Sequence, residues 1–348
     1  MALSPSRAYF SALGCAGRND FESRVVDLVQ RAWSGYGCRP VPVRLNKIAP
    51  HFQVRALPRS ISSHGEASIN FDQQAGEFVI SLGSRCNVDS RKQIPLWQGD
   101  FERRRLRFTY AHELAHRFCF VGENSSWLRA IHLIARGLQG TERSRVVRIL
   151  GPLEEAICNT VASRLLVPDL YLQEFIGRWG GKVDPCGDFF SLVTVGAHDF
   201  EVSRECFLGA IKDASERGVI ELGRNFFSVV VHESDRKGRS RSPRWLPRVM
   251  FPIVGVASQL GTVLPPFPGM AVSGLGSEIA ELINKSTTSD KGCGSIGSIP
   301  LILKVRQLQK VETQSREILV DFRFHGWWRT WSQQERRRTI LVWGQLEP

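Results

Sequence analysis

The sequence predicts an α+β protein, and three observations carry that prediction. A helical stretch contains His-Glu-x-x-His, short alternating strands precede it, and a second helical stretch downstream sets Glu155 and Asn159 four residues apart. With 348 residues and 42% hydrophobic content, the chain is long enough to bury cores in two or three domains. Lys+Arg 46 against Asp+Glu 34 gives a net charge of +12, which suits an acidic partner but is also a common way of staying soluble. Eight cysteines lie scattered with no C-x-x-C pair, as expected of reduced thiols. Met1 to Arg7 lacks a long apolar core and no run reaches the length of a membrane span, so the reading is cytosolic.

Residues 1–18 read as a loose leader rich in small residues. Asn19 and Asp20 can cap a helix whose Val25, Leu28, Val29, Ala32 and Trp33 share one face, and Gly35 ends it. A short helix from Pro42 to Ala49 leads to a strand near Phe52 to Leu57. Ile69 and Phe71, a turn at Gln73 to Gly76, then Phe78, Ile80 and Leu82 make a β-hairpin. An extended substrate could pair with an open edge of such a sheet. Glu102 to Arg107, with four arginines, reads as a solvated strand end.

The helix from Leu106 through Phe120 places His112 and His116 one above the other, because residues i and i+4 share a helix face. Two imidazoles so placed can bind one zinc ion, which in catalytic sites takes three protein ligands and leaves a fourth position for water. Glu113 stands where it can accept that water's proton. The helix is largely apolar, so unpaired histidines and a carboxylate buried there would be costly, and a metal removes the cost. Manganese and iron also accept such donors. The long metzincin motif does not fit, since Cys119 and Gly122 stand where it requires Gly and His.

A third ligand is available in a helix running from Pro152 to Pro168. Glu155 would complete the set, Asn159 on the same face would orient a ligand, and Glu154 fits an acidic first turn that complements the helix dipole. The stretch from Ser126 to Leu150 reads as a helical insert that shapes the cleft, and His132 within it as a core histidine.

These two motifs in this order resemble the ImmA/IrrE-type metallopeptidases over roughly residues 20 to 220. Arg107, Phe108, Thr109 and Ala111 to His116 match the family's first motif; Glu155, Cys158, Asn159, Ala162, Leu165, Leu166 and Pro168 match its second. Ala115 stands where Gly is usual, and the interval to Glu155 is long. The resemblance implies a gluzincin-like core with His112, His116 and Glu155 as zinc ligands and Glu113 as the base. It also implies a narrow protein substrate, a DNA-binding transcriptional repressor cut to release a stress-response or mobile-element operon.

The expected organisation is a metallopeptidase core over residues 19–182, a helix-turn-helix-like element over 183–234, a basic linker over 235–245 and a C-terminal α/β unit over 246–348. In the second of these, Ser203 caps a helix with a stripe of Cys206, Phe207, Ala210, Ile211 and Ala214. Arg204 is its one obvious DNA-reading side chain, so packing or substrate positioning is favoured over direct nucleic-acid binding. The C-terminal unit, with a helix at Ser277 to Lys285 and strands near 301–305, 318–324 and 339–343, resembles the GAF-like sensor domain of some family members. Its Trp327, Trp328, Trp331 and Trp343 read as core or interface aromatics. The competing reading for the whole chain is a regulatory module that binds a repressor or DNA without cutting it.

Overall fold

Helix α1 (Pro5–Ala12) starts where the Ser4 hydroxyl accepts the Arg7 N–H at 3.4 Å and Pro5 presets the first turn. The computed structural model describes residues 4–34, 41–58, 67–82, 87–89, 94–96, 100–123, 126–183, 189–222, 226–234, 244–250, 293–308, 315–334 and 337–347. It is an α+β chain of two compact units. The first comprises Met1–Leu172 with Gly196–Ala210, the second Gln173–Val195 with Ile211–Pro348. Residues 5–12 of the expected leader are therefore helical, anchored by the buried Tyr9 and Phe10.

In the first unit, α2 (Arg18–Ser34) begins before the expected cap, and Asp20 instead accepts the Ala16 N–H at 2.8 Å. Its buried face runs through Phe21, Val25, Val26, Val29 and Trp33, which turns Leu28 outward. Helix α3 (Leu45–Ile48) leads into strand β1 (Val54–Pro58). β1 pairs parallel with β3 (Glu77–Leu82), and β3 pairs antiparallel with β2 (Ala67–Asp72), so β3 is central and β2 forms one edge. Being covered on both faces, β3 buries Val79 and Ser81 as well as the alternating Phe78, Ile80 and Leu82. A two-stranded pair, β4 (Asn87–Asp89) with β5 (Ile94–Leu96), precedes α4 (Asp100–Arg117).

Four expectations around α4 need correction. Glu102 to Arg107 is helical rather than a strand end, and Arg107 turns inward to bond the Val43 carbonyl at 3.2 Å and pair with Glu201 at 3.3 Å. The helix stops at Arg117, whose guanidinium stacks over Phe78 and Trp127, and Phe120 opens a hairpin of β6 (Phe120–Glu123) and β7 (Ser126–Arg129). The insert is thus part strand. It continues as α5 (Ala130–Ala135), which leaves His132 exposed rather than in the core.

Helix α6 (Gly140–Leu166) is one continuous element, so Pro152 lies inside it rather than in its first turn. Pro152 lies on the exposed face and leaves the Arg148 carbonyl to water, while Leu150, Ile157, Cys158, Val161 and Leu165 pack inward and hold the helix together. α4 packs against α6 on one side and β2 and β3 on the other. Helix α7 (Asp169–Arg178) ends at Gly180 and Gly181, both at positive φ.

Strand β8 (Lys182–Val183) pairs with a later strand, and α8 (Phe189–Asp199) turns through Glu201 into α9 (Arg204–Glu216). Ser203 caps α9 by accepting the Cys206 N–H at 3.1 Å, and the expected stripe is buried. Strand β9 (Glu221–Leu222) is the parallel partner of β8.

The second unit holds an antiparallel sheet of β10 (Phe226–Ser234), β11 (Arg244–Met250), β12 (Cys293–Leu308), β13 (Ser315–Gln334) and β14 (Arg337–Glu347), in the order β11-β10-β14-β13-β12. The expected domain boundary at the basic stretch falls between two paired strands, with Ser234 opposite Arg244. Residues 235–243 and the expected helix at 277–285 lie outside the described residues. Trp343 is buried near Phe189 and Phe190, as expected of a core aromatic. No helix among the described residues is long and apolar enough to cross a membrane.

Gly196 of α8 faces the Phe207 ring of α9 so closely that a Cβ would overlap it. Overpacking of this kind costs about 1–3 kcal/mol, more than the roughly 1 kcal/mol that Ala gains over Gly in a helix. Gly196→Ala is therefore expected to lower the thermal unfolding midpoint by several degrees, measured by circular dichroism.

Candidate metal centre

The centre is built on the packed pair α4 and α6. One turn of α4 separates His112 from His116, and their Nε2 atoms lie 3.0 Å apart. Glu155 of α6 completes the group: its Oε2 is 3.1 Å from His112 Nε2 and its Oε1 is 3.4 Å from His116 Nε2. Donors about 2.0–2.1 Å from a tetrahedral ion stand about 3.3 Å apart, so this group could hold a metal ion. The side chains are 14%, 6% and 54% exposed for His112, His116 and Glu155, which opens the site toward solvent on the Glu155 side.

The two histidines are held differently. Burial and the neighbouring His116 hold the His112 pKa below its usual value despite Glu155, so its ring stays neutral. The buried His112 Nδ1 has no hydrogen-bond partner, and Asn159 acts on the ring without reaching that atom in bonding geometry. Asn159 thus lies beside the ring of His112. At His116 burial opposes the charge, but bonds with Cys119 and Glu154 outweigh this and raise its pKa to about 10 in the metal-free protein.

Glu154 is the residue that sequence reasoning misassigned. It sits mid-helix and fully buried, not in an exposed first turn. Its Oε1 is 3.2 Å from His116 Nδ1, Arg129 bonds it through both Nε, at 2.8 Å, and Nη2, and Tyr9 donates to its Oε2 at 2.8 Å. Burial works against the ionised carboxyl, but the bonds from His116 and Arg129 prevail, so its pKa is lowered. An ionised Glu154 accepts the Nδ1 proton of His116 and orients the ring so that Nε2, whose proton a binding metal ion would displace, faces the donor group. A carboxylate holding the far nitrogen of a ligand imidazole is the usual support of a metal-binding histidine, and it shows that these residues fit a metal ion.

Glu113, next to His112 in the chain, is buried, 9% exposed. Burial raises its pKa, opposed by His116 and by a hydrogen bond with the Ile69 backbone. That bond brings edge strand β2 beside the carboxylate. Beneath the site, Cys119 and Cys158 have sulfurs 3.8 Å apart and form with His116 a second, buried group that could also hold a metal ion.

The expected His112, His116, Glu113, Glu155 and Asn159 therefore converge on one place, while Tyr9, Arg129, Glu154 and Cys119 were missed. Only Glu154, next to Glu155, left a local signal. Compared with protein-family models and with curated proteins, the chain matches none.

Glu154→Gln should keep the ring contact but lose the charge that holds the Nδ1 proton. Metal affinity is expected to fall about 10–100-fold, read by competition against a chromophoric zinc chelator.

Proposed function

We propose that the chain is a cytosolic, zinc-dependent endopeptidase of the ImmA/IrrE type with a gluzincin-like core. The convergence of His112, His116 and Glu155 beside the buried Glu113 carries this reading. His112 Nε2, His116 Nε2 and a Glu155 carboxylate oxygen would hold the ion. Two imidazoles and a carboxylate around an open side suit zinc best, although manganese and iron accept the same donors. A bound divalent ion supplies Lewis acidity toward water and a peptide carbonyl.

The protein's own residues do the rest. Glu113, whose pKa burial raises, takes the proton of the attacking water on its carboxylate and passes it to the leaving amine nitrogen. Glu154, fixed by Arg129 and Tyr9, keeps the His116 proton on Nδ1 throughout. Edge strand β2, tied to Glu113 through Ile69, offers backbone groups along which an extended substrate can lie. An extended strand presents its peptide bonds in sequence, and this favours cleavage within a protein segment.

By resemblance, the substrate is a DNA-binding repressor whose single cut releases a stress-response or mobile-element operon. The antiparallel sheet of the second unit is read as the corresponding GAF-like sensor.

Purified protein analysed by mass spectrometry for metals is expected to hold about one zinc per chain, lost in His116→Ala and Glu155→Ala. A wild type that stays metal-free after zinc loading would end the peptidase reading. Glu113→Gln should retain the zinc but produce new peptide termini from a proteome extract about 100-fold or more slowly, counted by terminal labelling.

A further inference from the structure

One face of α6 extends the candidate site beyond its ligands. Thr141, Arg145, Arg148, Pro152, Glu155 and Asn159 recur at the spacing of a single helix face, opposite the buried Val146, Leu150, Ile157 and Val161. Both arginines are exposed and have no acidic partner among the described residues. With Gly140, Thr141 and Ser144 they line a shallow groove of about 540 Å³. Arg148 stands about two helical turns, on the order of 10 Å, before Glu155, and Arg145 about one turn further.

We propose that Arg145 and Arg148 form a recognition strip for acidic side chains of the protein substrate. An extended peptide advances about 3.3 Å per residue, so the strip reads carboxylates roughly three to five positions from the bond held at His112, His116 and Glu155. Guanidinium forks suit this work because they bind carboxylates through two parallel hydrogen bonds. The face suits an acidic peptide better than a nucleic acid. It carries no aromatic side chain on which a base could stack. Substrate selection by charge rests on the peptidase reading, whereas binding of acidic segments does not.

The test uses zinc-loaded full-length Glu113→Gln protein and fluorescein-labelled peptides, one rich in glutamate and one with glutamine in its place, followed by fluorescence anisotropy. The glutamate peptide is expected to bind at low salt and weaken as salt rises, and the glutamine peptide to bind about tenfold or more weakly. Adding Arg145→Glu and Arg148→Glu should weaken the glutamate peptide about tenfold or more, and Arg145→Lys with Arg148→Lys should weaken it less, since the charge is kept and only the paired hydrogen bonds are lost. Elemental analysis and circular dichroism of each variant check that metal and fold are kept. Equal binding of the two peptides, or indifference to Arg→Glu, overturns the proposal. So does a single-stranded oligonucleotide that displaces the glutamate peptide at lower concentration than unlabelled peptide does. Failure of the peptidase reading alone would appear separately, as charge-dependent binding by a wild-type chain that cuts nothing.

Discussion

The site depends on one buried carboxylate. Glu154 is fully enclosed, and a charge there is tolerable only because His116, Arg129 and Tyr9 all bond to it. Removing any one partner would leave part of that charge uncompensated, so α1, the β7 end, α4 and α6 are held in register by the same demand. The elements that carry it are far apart in sequence, and the carboxylate is where they meet.

Helix geometry then separates two adjacent glutamates into two roles. Successive residues point about 100° apart on a helix, so with Glu154 turned into the core, Glu155 reaches the open side beside His112. The remainder of that outward face, through Arg148 and Arg145, follows from the same rotation. α6 therefore supports a histidine on one side, contributes a donor atom at its edge and presents two cations further along. Its continuity from Gly140 through Pro152 makes this possible.

Much of the site was legible because its spacing is local. His112 and His116 follow from four residues on one helix, and Asn159 and Glu155 from four on another. The hairpin before α4, the Ser203 cap and the stripe of α9 were legible for the same reason. What was not legible depended on packing. Leu28 and His132 have apolar neighbours in sequence, yet each faces outward, because the element that would cover it lies elsewhere. The basic stretch at 235–245 has the composition of a linker, and only strand pairing shows that the chain returns beside itself there. Tyr9 is 145 residues from the carboxylate it bonds, so no window of sequence contains both.

The sequence by itself determined that two helices would each present donor groups at one-turn spacing, since backbone geometry within a helix leaves no other arrangement. Which of Glu154 and Glu155 faces inward was decided only by tertiary structure. Their local sequence is nearly the same, and the choice rests on the rotation at which α6 packs against α4 and on the Arg129 and Tyr9 partners that make burial of one carboxylate affordable.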